Sequence, residues 1–289
     1  MLRTALVSFL AFAAAPALGE PLLYRLDNGD TSVWLLGSVH ALTAGDYPLD
    51  SRIESAYADA ERIVLEVSPE ELEPAHIAEV ALPLATWDNG QHLADAFTDA
   101  EYATLRRYLE TFGLDVRQFR NFEPWFVGLQ VFALNLAQSG YASAEGVDRH
   151  FAARAQADGK LTGGLETARE QFALFDSLPR PVQKTFLLES IKDSEDFEKQ
   201  LDEIVAAWRR GDEAALASLL ETEFDEDPEL RDALLVDRNR RWVPRIETLL
   251  DSPGDSLVIV GALHLVGHEG VVNLLEDEGY KVTQVKSEN

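Results

Sequence analysis

Cysteine is absent from all 289 residues. That excludes disulfides, a lipid-modified N-terminal cysteine, thiolate metal centres and thiol catalysis. Basic residues are scarce, 25 Lys and Arg against 51 Asp and Glu, for a formal net charge of −26. A surface of that sign repels phosphates, so neither nucleic acid nor an anionic membrane is an expected partner. No apolar run approaches the roughly 20 residues of a spanning helix, so no stable transmembrane anchor is expected. The G-x-G-x-x-G, P-loop, H-E-x-x-H and G-x-S-x-G patterns are missing, which removes the usual signatures of dinucleotide binding, NTP binding, zincin proteolysis and α/β-hydrolase chemistry. Gly37-Ser38 suggests a serine nucleophile, but its surroundings are not a nucleophile elbow.

What is present begins with an export signal. Arg3 supplies a positive start, Ala5 to Ala15 an apolar core, and Ala17-Leu18-Gly19 the small residues a signal peptidase inspects. This three-part pattern predicts cleavage near Gly19 and a periplasmic or secreted protein. The alternative is an N-terminal helix packed on the domain. Residues 20–289 are long enough to bury a core without disulfides and are read as one domain. Acidic charge concentrates between Glu189 and Asp232, with 16 acidic against 5 basic residues. Its densest run, Glu221 to Asp227, reads as a solvated loop.

Hydrophobic patterning divides the chain into strand-bearing ends and a helical middle. Leu22–Leu26 and Ser32–Leu36 flank Asp27-Asn28-Gly29-Asp30, a turn-forming cluster, and predict a hairpin. A short helix from Leu49 to Ala60 and the buried strand Arg62–Val67 follow. A helical insertion is expected over about 70–158, a short strand over Lys160–Leu165, and a helical segment over about 167–250. Pro124–Leu136 is almost uncharged and predicts a helix buried all round. Pro244 predicts a kink or break in the last long helix. Ser256–Val260 is the most apolar strand candidate, and the helix Gly270–Glu278 and strand Tyr280–Val285 close the chain. The expected fold class is α/β, mixed with α+β character, its central sheet built from both chain ends around the helical middle.

One short pattern recurs. Gly37-Ser38-Val39-His40 ends one strand and Gly261-Ala262-Leu263-His264 ends another. Open α/β sheets work in the crevice beyond their strands' carboxyl ends, so His40 and His264 are candidates for a single site. Neither pattern alone is diagnostic, and a lone strand-end histidine is commonly a structural hydrogen-bonding residue. Glu66 lies inside the apolar Ile63–Val67, where an ionised carboxylate costs several kcal/mol unless paired or metal-bound. Glu166 follows its short strand in the same way. Two His and two Glu could hold one divalent ion with a position open for water, or one Glu could act as general base. The competing account of each Glu is an ion pair with a core arginine, Arg238 being the candidate. Arg238 and Asn239 themselves read as a solvent-facing helix surface; alternatively Arg238 stabilises an oxyanion or clamps a carboxylate. Asp148, Arg149, His76, His92, His150 and His268 read as surface or lid residues.

Taken together, Val33–His40, Val64-Leu65-Glu66, Gly164-Leu165-Glu166-Thr167, Trp208–Asp212, Arg238-Asn239 and Val260–Gly267 resemble the TraB/PrgY/GumN family, its GumN-like bacterial branch in particular. Gly270 and Gly279-Tyr280-Lys281-Val282 also fit, while Ser38 stands where threonine is more usual. The resemblance implies relation to the Tiki metalloproteases, which use manganese or cobalt, and to erythromycin esterases and haem-binding ChaN-like proteins. It implies an active site containing His40, His264 and Glu66, with Glu166 and Arg238 nearby. The expectation is therefore a metal-dependent hydrolase of peptide or amide bonds. Its metal is Mn²⁺ or Co²⁺, with Zn²⁺ admissible, held by His40, His264, Glu66 and Glu166, and its substrate is a peptide or protein. The alternatives are a non-enzymatic protein that binds peptide, haem or glycan in the same cleft, and a metal-independent ester hydrolase.

Overall fold

The structure is a computed structural model describing residues 20–39, 42–88, 90–139, 141, 145–192, 197–224 and 228–286. The export segment 1–19, His40, and residues 225–227 of the acidic run lie outside the described residues. The first part of that run, through Glu223, is the last turn of a helix and not a loop.

The hairpin forms as the turn cluster predicts. Strands β1 (Leu23–Asp27) and β2 (Ser32–Ser38) pair antiparallel, Leu23 opposite Leu36. Asn28 Oδ1 accepts from the backbone of Asp30 and Thr31 at 3.1 and 3.0 Å, and Gly29 takes φ +98°, a conformation that only glycine adopts cheaply. Helix α1 (Ser51–Asp59), capped by Asp50, then leads into β3 (Arg62–Val67). β4 (Leu161–Glu166) and β5 (Ser256–Gly261) complete the parallel part. Ile63–Val67 and Leu257–Val260 are near-continuous runs of branched residues, as strands covered on both faces require.

The six strands lie in the order β4-β3-β5-β2-β1-β6, with β6 reduced to Thr283–Gln284. β4, β3, β5 and β2 are parallel; β1 is antiparallel to both β2 and β6. The late strand β5 is thus inserted between β2 and β3. The carboxyl ends of four strands share one edge of the sheet, where Ser38 ends β2 and Gly261 ends β5.

Between β3 and β4 run α2 (Pro74–Ala85), α3 (Asp99–Thr111), α4 (Pro124–Gln138) and α5 (Val147–Asp158). After β4 come α6 (Ala168–Ser177), α7 (Arg180–Lys192), α8 (Phe197–Arg209) and α9 (Glu213–Glu223). The helical middle carries a small second core, in which Leu93, Leu105, Leu109, Val127 and Val131 of the insertion pack with Leu187 of α7, apart from the sheet core. Helix α4 is not buried all round: Trp125, Val127 and Val131 are fully buried, but Phe132 is 48% exposed. Its inner face meets α7, where Gly128 admits Phe186; a Cβ there would stand 2.5 Å from the Phe186 ring.

A continuous helical stretch precedes β5. It comprises α10 (Pro228–Arg231), a π-helical turn (Asp232–Val236) and α11 (Asp237–Leu250). Pro244 does not break α11, which runs on to Leu250. α12 (Val271–Asp277) then returns the chain to β6. That strand is shorter than predicted, being limited to the two residues that pair with Tyr24 and Arg25 of β1.

Candidate active site

Each side chain of the site is delivered by the end of a regular element. Glu66 is the penultimate residue of β3 and Glu166 the last of β4. Thr167 caps α6 immediately afterwards, in a reciprocal box with Glu170 (Thr167 Oγ1 accepts from Glu170 N at 3.1 Å, Glu170 Oε2 from Thr167 N at 2.7 Å), so the chain turns away just past Glu166. Gly261 closes β5, and the 3-10 turn Ala262–His264 folds His264 back over the strand end. Arg238 and Asn239 stand in the first turn of α11, directly behind the π turn. Such turns interrupt the regular helical rotation and recur at working sites. Here the carbonyl of Leu234, inside the π turn, accepts from Arg238 Nη1 at 3.1 Å.

Arg238 organises the site. Its Nε and Nη2 donate to Glu166 Oε1 at 3.0 and 2.6 Å, and Nη2 also donates to Glu66 Oε2 at 2.5 Å. Nη1 donates to Leu234 O and to His264 Nε2, the latter at 3.0 Å. All five guanidinium hydrogens therefore have acceptors. Burial works against its charge, but Glu66 and Glu166 outweigh burial and hold its pKa above the ordinary arginine value. Two carboxylates against one guanidinium leave this group one formal negative charge in surplus. The guanidinium also lies over Trp242, 4.6 Å from the ring centroid, and the His264 ring packs tilted by 44° against the same indole at 4.5 Å.

His264 is held in one tautomer. Asn239 Nδ2 donates to the Glu269 carbonyl at 2.7 Å, which orients the amide and leaves Oδ1 as the acceptor 2.6 Å from His264 Nδ1. Nδ1 therefore carries the proton and Nε2 the lone pair, consistent with Nε2 accepting from Arg238. Nε2 lies 4.0 Å from Glu66 Oε1. That oxygen also accepts from the Gly261 backbone N–H at 2.8 Å.

The strand ends Gly37-Ser38 and Val260-Gly261 of the two G-x-x-H patterns are adjacent in space. Gly37 pairs with Val260 and Ser38 with Gly261. A Cβ at Gly37 would stand 3.1 Å from Ala262 Cα, and one at Gly261 would stand 3.3 Å from Glu66 Oε1. Both glycines thus stand at points of close approach, the tighter being Gly37, where the neighbour is backbone. On either side of His40, Val39 and Leu42 are buried, and Val39 O accepts from Val147 N at 3.1 Å.

The TraB/PrgY/gumN family matches residues 22–284. The chain belongs to that family. Comparison with curated proteins and with solved structures gives no match.

In this family member the structure brings Glu66, Glu166, Arg238 and His264 into one hydrogen-bonded group. The reading of Arg238 and Asn239 as a solvent-facing surface is corrected: they are 7% and 0% exposed. Helical spacing groups them with Arg240 and Arg241, but the sheet edge covers their side of α11. The ion pair named as the competing account of Glu66 and Glu166 is present, with Arg238 as the shared partner. Sequence reasoning missed the Asn239–His264 contact, the Gly261 N–H, the Trp242 wall, and Gln171, whose Nε2 donates to Glu166 Oε1 at 3.2 Å. An Asn inside a helix beside an Arg was the available signal for the first; Gln171 and Trp242 gave none. The other histidines have unrelated surroundings. His76 pairs with Glu71, His92 with Arg120, His150 stacks on Tyr47 with its pKa lowered by burial, and His268 is exposed.

Among the described residues no group of three or more His, Cys, Asp or Glu is arranged to hold a metal ion. Glu66 Oε1 and His264 Nε2 are the nearest approach to a ligand pair, although Arg238 Nη1 already donates to Nε2 and the Gly261 N–H to Oε1. They face each other across 4.0 Å, and the other ring nitrogen of His264 donates to a carbonyl oxygen, as it does in metal-ligating histidines. Glu166 does not fit that role, because Arg238 engages both of its oxygens.

Proposed function

We propose that this protein is a hydrolase of peptide or amide bonds, working at the Glu66–His264 edge with a divalent cation, Mn²⁺ or Co²⁺ before Zn²⁺. The observation that carries the proposal is that His264 Nε2, the unprotonated ring nitrogen, lies 4.0 Å from Glu66 Oε1 beside the surplus negative charge. His264 and Glu66, with His40 from the neighbouring strand end, would hold the ion. When bound, such an ion polarises the scissile carbonyl and lowers the pKa of the attacking water. Glu166 is assigned a supporting role: it holds Arg238, which keeps one buried positive charge beside Glu66. Arg238 also bars free rotation of the His264 ring by donating to Nε2.

Metal content of purified protein tests this, measured for wild type, His40→Ala and His264→Ala with folding checked by circular dichroism. Loss of bound Mn²⁺, Co²⁺ or Zn²⁺ in both variants is the expected result; equal content in all three overturns it. One contact favours a second reading, a metal-free ester hydrolase with His264 as base: Arg238 Nη1 already occupies the direction of the Nε2 lone pair. Equal metal content in the three proteins, together with esterase activity abolished by His264→Ala, would establish that reading instead.

We further infer export to the periplasm or medium with cleavage near Gly19, which places a peptide or protein substrate outside the cytoplasm. No helix among the described residues is long and apolar enough to cross a membrane. N-terminal sequencing of protein from the native host decides the point, and an intact Met1 there overturns it.

A further inference from the structure

Asn239 orients His264, and Asn239 is itself oriented by the carbonyl of Glu269. That carbonyl belongs to a tight loop between β5 and α12. Gly267 takes φ +78° there, and its carbonyl accepts from Gly270 N at 3.0 Å and from Asn273 Nδ2 at 2.8 Å. A Cβ at Gly270 would stand 2.6 Å from Val266 O, so the loop closes on itself without slack. The Glu269 carboxylate turns to the helical stretch before β5. Its Oε2 lies 2.7 Å from Arg231 Nη2, and its Oε1 accepts from Arg240 Nη2 at 3.1 Å. The two arginines come from opposite sides of the π turn, Arg231 ending α10 and Arg240 in the first turn of α11. In a regular α-helix they would stand about two and a half turns apart, hence on opposite faces. A π turn holds more residues per turn and takes up part of that half turn. Each guanidinium thereby reaches one oxygen of the same carboxylate.

We propose that Glu269 is a positioning residue of this site, its two-arginine clasp holding the Asn239–His264 hydrogen bond in place from the rim. The carboxylate fastens the loop to the helix on both sides of the π turn. The fastened loop presents its carbonyl to Asn239 Nδ2, and the amide cannot turn over without losing that bond. Oδ1 is thus kept on His264 Nδ1, and the imidazole is held from the side opposite Arg238. The inference concerns the orientation of the ring, so it holds for either reaction named above and needs no cation.

The test is hydrogen exchange at the His264 Nδ1–H, followed by NMR of histidine-labelled protein in chelator at one pH and temperature. The resonance is assigned by its loss in His264→Gln, and Asn239→Ala gives the rate without the bond. Exchange reports local opening, so Glu269→Ala should speed it about tenfold or more, toward the Asn239→Ala rate. The double variant Arg231→Ala/Arg240→Ala should do the same with Glu269 intact, and Glu269→Gln, which can still accept from one arginine, should fall between. Glu170→Ala, which breaks the ion pair to Arg245 farther along α11, should leave the rate unchanged. Both pairs are partly exposed, so urea denaturation should find Glu269→Ala no less stable than Glu170→Ala. Wild-type exchange in Glu269→Ala or in the double arginine variant would overturn the proposal. So would equal acceleration in Glu170→Ala, which would mark general loosening, or wild-type exchange already as fast as in Asn239→Ala. None of these outcomes depends on metal content or hydrolysis, so failure of the proposed reaction is read separately.

Discussion

Glu166 and Arg238 meet side-on in the interior, Nε and Nη2 of the arginine at 3.0 and 2.6 Å from the same carboxylate oxygen, with the two side chains 1% and 8% exposed. Removing one member of such a pair is costly because the other remains buried and charged, whatever the pair contributes as a whole. Glu166→Gln should therefore destabilise the protein by about 3 kcal/mol, toward the lower end of the usual range because Glu66 still neutralises Arg238. Chemical denaturation at neutral pH measures this, and unchanged stability would show that Glu166 is not the counter-ion Arg238 depends on.

Glu66 shares the same arginine but stands nearer the surface, its side chain 13% exposed. Glu66→Gln keeps an acceptor for the Gly261 N–H and loses the charge. The loss of stability should be smaller than for Glu166→Gln, while peptide cleavage in the presence of Mn²⁺ or Co²⁺ should fall by roughly 10²–10⁴-fold if Glu66 is ligand or general base. A folded Glu66→Gln protein with full activity would take Glu66 out of the chemistry and leave it a structural ion-pair partner.

Asn239 orients His264 through one contact and anchors itself through another. Asn239→Ala removes both, and leaves the imidazole N–H and the Glu269 carbonyl to find other partners, at about 1–3 kcal/mol for each buried group left unpaired. Nitrogen NMR of the labelled imidazole should show the Nδ1–H form dominant in wild type and a mixture of tautomers in the variant. A single unchanged tautomer in Asn239→Ala would mean that Arg238 alone orients the ring.

The Glu170–Arg245 pair ties α6 to α11 at the rim of the site. Hydrogen bonds from Arg245, supported by the Thr167 backbone and opposed by partial burial, hold the Glu170 carboxyl down at about 2, against an ordinary value of 4.5. A depressed carboxyl contributes stability that is complete above its unfolded value and is lost as pH falls through its folded value. The stability difference between wild type and Glu170→Gln should be constant above about pH 5 and shrink between pH 4.5 and 2. The pair is partly solvated, which keeps the difference small. Urea denaturation of both proteins at several pH values checks the sign: a difference that grows on acidification contradicts it.

The sheet was legible because its strands are short runs of branched residues bounded by turn chemistry, as at Ile63–Val67 and Leu257–Val260. Glu66 was legible as special for the same reason, being a charge where such a strand has no place for one. Helix positions were legible too, but not the surroundings of each face. The apolar composition of α4 does not say that Phe132 is left outside while Val131 is covered. Charge at Arg238, among Arg240 and Arg241, does not say that this one guanidinium points inward. By itself the sequence determined the α/β class, the hairpin, the two glycine-histidine strand ends and the carboxylates beside them, because these depend on local patterning and on the cost of a charge in an apolar run. Tertiary structure alone decided that β5 enters between β3 and β2, that both motif glycines stand at points of close approach, and that Glu66 and Glu166 share Arg238. Strand order, register and the rotation imposed by the π turn bring Glu66 to Arg238 across 172 positions of sequence, and no local preference encodes which distant partner will neutralise a buried charge.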